Sequence, residues 1–244
     1  MRAMIFAAGL GTRLRPLTSD RPKALVEIGG RTLLEITLRR LQEVGVDEVI
    51  VNAHHFADQI ADFLDSHDFG IPIQISREDI LLDTGGGLKK AADFFLRPPA
   101  SPFLVHNVDV LSNIDLGRMV QSHAGSGALA VLAVQDRRSS RHLLFDQQLR
   151  LCGRRIGAEA PELVRPVEQL HELAFCGVHV ISPAIFSRMS EEGVFSIITT
   201  YLRLAAENQN ILAFRADSSY WRDLGTMEHL RQAEDDVDRG LMQP

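Results

Sequence analysis

Short apolar runs recur along the first half of the chain, and each ends at a glycine or at polar residues. Residues 3–8, 49–51 and 103–105 are three such runs. Strands of a parallel sheet have this pattern because both of their faces are buried. Between the runs, apolar residues recur at helical spacing, as they do over residues 31–44 before Gly45. This alternation predicts βαβ units with helices on both faces of a sheet.

The same patterns predict the remaining elements. Further strands are expected at 71–76 and 129–134, and helices over about 57–64, 88–95 and 115–123. The second half differs, because a hairpin over 142–152 and a strand at 174–181 suit a mixed rather than a purely parallel region. Its predicted helices lie near 183–189, 196–207 and 226–238.

Composition narrows the class of protein. The chain has 244 residues, of which 45% are apolar and 24% charged, so we expect one globular domain over residues 1–244. The net charge of −6 argues against a general nucleic-acid binder. No apolar run approaches the ~18 residues of a membrane helix, and no signal peptide is evident, so we expect no membrane association and a cytoplasmic location. Cys152 and Cys176 are expected to be buried, reduced thiols.

A glycine-bearing loop directly follows the first predicted strand. Glycines let the main chain approach a ligand closely, and exposed N–H groups can hold an anion. Arg13 adds a planar fork of donors that suits phosphate oxygens. The residues predicted to form this anion site are Ala7, Ala8, Gly9, Gly11, Thr12 and Arg13. A simple turn with surface arginines is the alternative interpretation of the loop.

Two familiar phosphate-binding motifs do not fit this loop. Leu14 stands where a dinucleotide-binding fingerprint needs its third glycine, and the Gly-Lys-Ser/Thr of a P-loop is absent. Lys23 follows shortly afterwards, directly behind Pro22, and its ammonium group suits a point contact to phosphate. Lys89 and Lys90 are the only other lysines, and we expect them on the surface of a helix.

Two aspartates occur in segments that suit a metal site. Asp109 follows Asn107 at the carboxyl end of a predicted parallel strand, where ligand sites of open α/β sheets lie. Asp223 lies far away in the sequence, in the segment Trp-Arg-Asp-Leu-Gly-Thr over residues 221–226. Two carboxylates, together with phosphate oxygens and waters, can complete an octahedral Mg²⁺ site. A turn or a helix cap is the alternative role for an isolated aspartate.

These segments together resemble the signature of a known enzyme family. Gly-x-Gly-Thr-Arg-x-x-Pro-Leu-Thr from residue 9, followed by Pro-Lys-Ala-Leu-Val-Glu-Ile-Gly-Gly from residue 22, is similar to the N-terminal motif of the sugar-1-phosphate nucleotidyltransferases. The similarity extends over nearly the whole chain, through Asp109 and Asp223. The resemblance implies an α/β fold, a Rossmann-like three-layer sandwich with a mixed, mostly parallel central sheet.

The resemblance also implies roles for individual residues. Arg13 and Lys23 would hold the triphosphate of an NTP and act as catalytic residues, together with Asp109 and Asp223, which would hold Mg²⁺. The nucleotide-binding half would cover residues 1–135, and the sugar-binding half with the C-terminal helices would cover 136–244. Further nucleotide contacts would come from Ala7, Ala8, Gly9, Gly11, Thr12, Gly85, Gly86 and Asn107. A flexible turn at a helix start is the alternative role for the segment at residues 83–87.

The sugar side departs from larger members of the family. Those carry a Glu-Glu-Lys-Pro-like segment whose lysine meets the sugar phosphate, whereas this chain has no lysine after Lys90. The residues predicted to bind the sugar are Arg141, His142 and Gly177, and a structural or exposed histidine is the alternative role for His142. Other candidates for the sugar phosphate are Arg165 and Glu168.

The expected function is the reaction of an NTP with a sugar 1-phosphate to give an NDP-sugar and pyrophosphate. The short chain, the Thr-Gly-Gly-Gly segment and the missing Lys-Pro segment look most like short bacterial enzymes that use UTP and N-acetylmuramic acid 1-phosphate. Short mannose- or heptose-1-phosphate guanylyltransferases look similar, and we expect a monomer or a small homo-oligomer. Two other classes stay open: a non-catalytic nucleotide-sugar-binding regulator, and a glycosyltransferase, which commonly uses an Asp-x-Asp metal motif that Asp109-Val110-Leu111 does not provide, although Asn107-Val108-Asp109 comes close.

Overall fold

The computed structural model describes every residue from Met1 to Pro244. Its α-helices, in chain order, are α1 (Leu33–Glu43), α2 (Ala57–Ser66), α3 (Asp83–Lys90), α4 (Ala92–Leu96), α5 (Leu116–Ala124), α6 (Ile197–Ala206) and α7 (Met227–Asp238). Its strands are β1 (Arg2–Phe6), β2 (Glu27–Ile28), β3 (Arg31–Thr32), β4 (Glu48–Ala53), β5 (Ile73–Arg77), β6 (Phe103–Asn107), β7 (Val110–Ser112), β8 (Ala130–Gln135), β9 (Arg141–Phe145), β10 (Leu151–Ile156), β11 (Glu162–Leu163), β12 (His171–Ile181), β13 (Ile211–Arg215) and β14 (Trp221–Asp223). Short 3-10 helices cover Thr12–Leu14, Lys23–Leu25 and Pro183–Arg188.

The chain forms two compact units, neither of which is one continuous stretch of sequence. Unit 1 comprises Met1–Leu81, His106–Ile114 and Ser219–Pro244. Unit 2 comprises Leu82–Val105 and Asp115–Ser218. The expected single domain, with halves at 1–135 and 136–244, stays a prediction.

Unit 1 contains a parallel sheet. β4 pairs with β1 on one side and with β5 on the other, and both pairs are parallel, with Met4 opposite Ile50. β1 and β4 are buried along almost their whole length, which explains their apolar sequences, and α1 buries all of its leucines. Because the strands are parallel, their carboxyl ends at Phe6, Ala53 and Arg77 share one edge.

Unit 2 contains a mixed sheet around the long strand β12. β12 runs antiparallel to β8 and to β9, β13 is parallel to β8, and β10 joins β9 to β11. The predicted hairpin consists of β9 and β10, and in its turn Asp146 Oδ1 accepts from the N–H groups of Gln148 and Arg150. The predicted α/β fold with a mixed sheet is therefore confirmed.

The structure corrects one helix boundary and adds short strands. The helix expected over 88–95 already begins at Asp83, includes the glycine triplet, and gives way to α4 after Ala91. Glycine normally weakens a helix interior, which is why the sequence pattern favours a loop there. The patterns also miss β7 and β14, because strands of three residues are too short to alternate visibly. None of the helices combines the length and apolarity needed to cross a bilayer.

Candidate active site

The loop after β1 is anchored at both of its ends within unit 1. At its start, the Ala7 N–H donates to Asn52 Oδ1 over 2.8 Å. At its far end, Gly11 has a φ of 64°, a left-handed conformation that glycine adopts readily. Thr18 Oγ1 donates to the Gly11 carbonyl over 2.8 Å. The glycine loop is therefore held in one path between residues 7 and 11.

Lys23 lies in a 3-10 turn directly after Pro22, and its ammonium group points to Asp109. The Lys23 side chain is only 9% exposed, and Nζ lies 2.6 Å from Asp109 Oδ2. A buried ammonium group needs such a partner, because removing a charge from water is costly. Lys23 Cβ also lies 3.3 Å from the place that a Cβ on Gly11 would occupy. The glycine loop, Lys23 and Asp109 therefore meet in unit 1.

Two short strands bring the second aspartate to the same place. β7 and β14 run antiparallel, with Asp223 opposite Val110. The Leu224 N–H donates to the Asp109 carbonyl over 2.8 Å. Asp109 and Asp223 thus lie on neighbouring segments although they are far apart in the sequence.

Two buried oxygens in these segments lack a hydrogen-bond partner, namely Asp223 Oδ1 and Asn107 Oδ1. Such an atom costs about 1–3 kcal/mol when it stays unsatisfied, so buried polar atoms nearly always have partners. Carboxylate and amide oxygens are the ligands that Mg²⁺ and Ca²⁺ prefer. These residues therefore fit a hard divalent cation. No group of three or more His, Cys, Asp or Glu side chains converges in the chain, so other ligands would have to come from phosphate or water.

Arg13 and Asp223 approach each other across Gly225. A Cβ on Gly225 would lie 2.5 Å from Asp223 Oδ1 and 2.6 Å from Arg13 Nη2. Both distances are too short for a carbon atom, so only glycine leaves room for the two side chains. The guanidinium of Arg13 is thus close to Asp223.

The position of Asp223 is fixed by further contacts in unit 1. His229 Nδ1, at the start of α7, lies 2.8 Å from the Asp223 carbonyl oxygen. The neighbouring Arg222 donates to Asp236, which also accepts from the Tyr220 hydroxyl over 2.8 Å. Gly225, His229 and Asn52 are residues that the sequence analysis does not identify. Gly225 and His229 lie in or just after the Trp-Arg-Asp-Leu-Gly-Thr segment, and Asn52 lies near the carboxyl end of a parallel strand.

His106 is the buried titratable group nearest in sequence to Asp109. Burial, and secondarily the positive charge of Arg40, lower the pKa of His106 to about 4. The ring is therefore neutral at pH 7, and Nδ1 lies 2.8 Å from the Asn107 carbonyl. His106 supplies no charge to the site at neutral pH.

The predicted base-binding glycines lie in α3 of unit 2, and packing explains why they are glycines. The N–H groups of Gly85 and Gly86 both donate to the Phe195 carbonyl, over 2.9 and 3.2 Å. A Cβ on Gly85 would overlap the Phe195 ring, and one on Gly86 would overlap the Gly193 carbonyl oxygen. The segment is a tightly packed helix start and not an open loop. Its predicted contact with a nucleobase stays a prediction.

The predicted sugar-side residues belong to unit 2 and have modest local roles. Arg141 is exposed at the start of β9, and His142 Nε2 lies 3.2 Å from the Arg137 carbonyl. Gly177 has a φ of 74° within an irregular stretch of β12. Arg165 donates through Nε and Nη2 to the carbonyls of Ala205, near the end of α6, and Gln209, just after it, so these two nitrogens already have partners. The binding of a sugar by Arg141, His142 and Gly177 stays a prediction.

Comparison with known proteins decides the family. The family model described as "Nucleotidyl transferase" matches residues 2–240. The chain belongs to the nucleotidyl transferase family. This nucleotidyl transferase is 33% identical, over 243 residues, to N-acetylmuramate alpha-1-phosphate uridylyltransferase of Caulobacter vibrioides, and the match covers 95% of each chain. It is 29% identical, over 244 residues, to mannose-1-phosphate guanylyltransferase of Mycobacterium tuberculosis, covering 98% of this chain and 65% of that protein.

The fold of this nucleotidyl transferase matches that of solved structures as well. A UDP-glucose pyrophosphorylase complexed with UDP-glucose superimposes with a TM-score of 0.79 at 18% identity, covering 98% of both chains. The predicted Rossmann-like fold and the predicted membership of the short sugar-1-phosphate nucleotidyltransferases are confirmed. The chain is an enzyme of that class, and the family generally uses a divalent metal ion.

Proposed function

We propose that this enzyme transfers a nucleoside monophosphate from UTP to N-acetylmuramic acid 1-phosphate, releasing pyrophosphate, with Arg13, Lys23, Asp109 and Asp223 as its catalytic residues. The observation that carries the proposal is the 2.6 Å ion pair between Lys23 and Asp109. Beside it, β7 and β14 bring in Asp223, and Arg13 approaches Asp223 across Gly225. Cationic groups and two carboxylates thus occur together, as a reaction between two polyanions requires.

Mg²⁺ is the proposed cofactor, with Asp109 and Asp223 as its protein ligands. The buried, unpaired Asp223 Oδ1 supports this choice, because a carboxylate oxygen without a donor suits a cation. Bound there, Mg²⁺ would offset phosphate charge and align the reacting groups.

The chain's own residues would then bind and orient the substrates. An oxygen of the sugar phosphate forms the new bond to the α-phosphorus of the NTP, and the bond from that phosphorus to the leaving pyrophosphate breaks. This oxygen is ionised at neutral pH, so no general base is needed. Lys23 and Arg13 would hold the triphosphate and the departing pyrophosphate. The N–H groups of the loop over residues 7–12 would contact the nucleotide.

The choice of substrates rests on a relative that matches over nearly its whole length. The uridylyltransferase of Caulobacter vibrioides aligns over 95% of both chains. The similarity to a mannose-1-phosphate guanylyltransferase keeps GTP with mannose 1-phosphate as the second candidate. Gly85 and Gly86 are proposed to contact the base, and Arg141, His142 and Gly177 the sugar. We further propose a cytoplasmic monomer or small homo-oligomer without nucleic-acid or membrane partners.

A substrate panel tests the proposal. UTP, GTP, CTP and dTTP are each combined with N-acetylmuramic acid 1-phosphate, mannose 1-phosphate and a heptose 1-phosphate, and pyrophosphate release is measured. We expect the highest kcat/KM for UTP with N-acetylmuramic acid 1-phosphate. Pyrophosphate release from no combination would favour the non-catalytic regulator. In a parallel assay that supplies an NDP-sugar, release of the NDP would indicate a glycosyltransferase.

The variant Lys23→Met tests the role of the central cation, because it keeps the apolar stem and removes the charge. We expect kcat/KM to fall about 100-fold, as for loss of one preorganised charge-stabilising group. The matched control is Lys89→Met, which removes an ammonium group that contacts the Glu191 carbonyl and Glu192. Equal kcat/KM values for the two variants would rule out a special role for Lys23.

A further inference from the structure

A buried side-chain amide links the carboxyl ends of three neighbouring strands in unit 1. Asn52, near the end of β4, is 3% exposed. Its Oδ1 accepts from the Ala7 N–H over 2.8 Å, just after β1. Its Nδ2 donates to Glu78 Oε1 over 2.7 Å, just after β5. Neither Asn52 nor Glu78 lies in a motif with an expected role, and neither contacts the reacting groups in the proposed reaction.

The chemistry of the two neighbours fixes the orientation of the Asn52 amide. A main-chain N–H can only donate, so it requires the oxygen of the amide. A carboxylate can only accept, so it requires the amide nitrogen. Both requirements select the same orientation, and the flipped amide would lose both hydrogen bonds. Glu78 therefore determines where Asn52 presents its acceptor.

Glu78 is itself held firmly. It is 5% exposed, and its N–H donates to the Ala53 carbonyl over 2.7 Å. His54 Nδ1 lies 2.8 Å from the Glu78 carbonyl oxygen. Placing a carboxyl group in the interior is costly, and a neutral side chain would serve packing equally well. The reason for a buried acid at this position is therefore its ability to orient a hydrogen-bond partner, the Asn52 amide.

The loop that receives this hydrogen bond has an open main chain. Apart from Gly9 itself and its two chain neighbours, no residue has a heavy atom within 4 Å of the place that a Cβ on Gly9 would occupy. Asn52 holds the start of the loop at Ala7, and Thr18 holds its end at Gly11. A shift at Ala7 would move the N–H groups of Ala8 and Gly9, which directly follow it.

We propose that Asn52 and Glu78 are positioning residues for the nucleotide. Glu78 orients the Asn52 amide, and Asn52 holds Ala7 so that the loop presents its N–H groups to the NTP. The inference rests on the proposed function, because it assigns the loop to nucleotide binding. It adds two residues that do not touch the reacting atoms but determine the affinity for the NTP.

Exchanging donor and acceptor tests the proposal. In Asn52→Asp, the new carboxylate can still accept from Ala7 but faces Glu78, so we expect KM for the NTP to rise about 30-fold through repulsion. In Glu78→Gln, the amide oxygen can replace the carboxylate, and we expect KM for the NTP to rise about threefold.

In the double variant, the new amide at position 78 donates to the new carboxylate at position 52, which accepts from Ala7. We therefore expect its KM to lie within about threefold of the wild-type value. The kcat value and the KM for the sugar phosphate should change little throughout.

A measurement that does not need turnover separates this proposal from the proposed function. Hydrogen exchange of the Ala7 amide, followed by NMR, should accelerate in Asn52→Asp and recover in the double variant. The same samples give Kd values for UTP and for GTP in the presence of Mg²⁺. If the wild type releases no pyrophosphate but the exchange pattern and Kd values follow this order, the transferase proposal fails and the positioning proposal stands.

Gln42→Leu is the structural control. Gln42 donates its side-chain amide to the Phe69 carbonyl, before the amino end of β5 and thus at the opposite end of the strands. We expect it to lower the free energy of unfolding without changing the KM for the NTP. Two results would overturn the proposal: a double variant no better than Asn52→Asp, or an Asn52→Asp variant that, like Gln42→Leu, loses stability with an unchanged KM.

Discussion

The glycine-rich segments at residues 9–11 and 85–87 look alike in sequence but have different surroundings. Apart from Gly9 itself and its two chain neighbours, no residue has an atom within 4 Å of the place of a Cβ on Gly9. A Cβ on Gly85 or Gly86 would overlap Phe195 or Gly193. The protein's own packing thus requires glycine at 85 and 86, whereas at 9 it does not. A glycine that the fold does not need is the better indicator of a ligand.

The same distinction applies to the acidic residues. Asp236 Oδ2 accepts hydrogen bonds from Tyr220 and Arg222, so the fold itself supplies donors to this carboxylate. Asp223 keeps a buried oxygen without a partner. Substitutions at residues required by the fold should therefore change stability, and substitutions at residues left for a ligand should change activity.

Asp223→Asn should have the largest effect on activity. The change removes charge from a proposed metal ligand, so we expect kcat/KM to fall about 10²- to 10³-fold. The free energy of unfolding, from urea titrations, should change by less than about 0.5 kcal/mol. The control Asp236→Asn should show the reverse, with about 1–3 kcal/mol less stability and a smaller loss of kcat/KM. Full turnover by Asp223→Asn would remove Asp223 from the metal site.

Gly86→Ala should have the largest effect on stability. Its methyl group would overlap the Gly193 carbonyl oxygen, and we expect a loss of about 2–4 kcal/mol in the free energy of unfolding. Gly125→Ala is the control in the same unit, because Gly125 has a φ of −91° and no atom near its Cβ place. That variant should be unchanged or about 0.5 kcal/mol more stable. Equal stability of the two variants would show that the helix start tolerates a side chain.

His106 should make stability depend on pH. The folded protein lowers the pKa of His106 from 6.5 to about 4, so the unfolded chain binds the proton more readily. The contribution of the neutral His106 to the free energy of unfolding is complete above pH ~6.5. It declines by up to about 1.4 kcal/mol per pH unit as the pH falls towards 4. Urea titrations at several pH values should show a smaller decline for His106→Gln than for the wild type. Parallel curves for the two proteins would contradict this assignment.

Gly9→Ala should have the smallest effect, and on one quantity only. The space around Gly9 accepts a methyl group, so the free energy of unfolding should stay within about 0.5 kcal/mol of the wild-type value. The methyl group should obstruct the nucleotide, and we expect KM for the NTP to rise about tenfold. An unchanged KM would mean that the ligand does not approach this side of the loop.

Much of the fold can be predicted from the sequence because its elements are strongly patterned. β1, β4 and β8 contain continuous apolar runs, and the β9–β10 hairpin has apolar residues on both sides of a polar turn. The short strands β7 and β14 carry no such pattern, because only their mutual pairing makes them strands. The helix start at Asp83 cannot be predicted from the sequence for a similar reason. Glycines normally disfavour a helix, and only the contacts with Phe195 explain why they occur in this one.

Some residues of the candidate site can likewise be predicted from the sequence, and others cannot. Arg13, Lys23, Asp109 and Asp223 lie in motifs that resemble a family, so their meeting in unit 1 could be anticipated. Asn52 could not, because a single asparagine after apolar residues looks like the start of a turn. Its importance depends on the positions of Ala7 and Glu78, which the sequence does not reveal.

The composition of unit 1 has a consequence for how the enzyme is made. Its first segment ends at Leu81, but Asp223 belongs to the segment from Ser219 onwards. A ribosome must therefore synthesise the chain at least as far as Asp223 before the N-terminal loop can meet this acidic partner. With Asp223 as a catalytic residue, as proposed above, a nascent chain that ends before this residue would not consume nucleoside triphosphates. Synthesis of Asp223 would thereby set the earliest point during translation at which activity can begin.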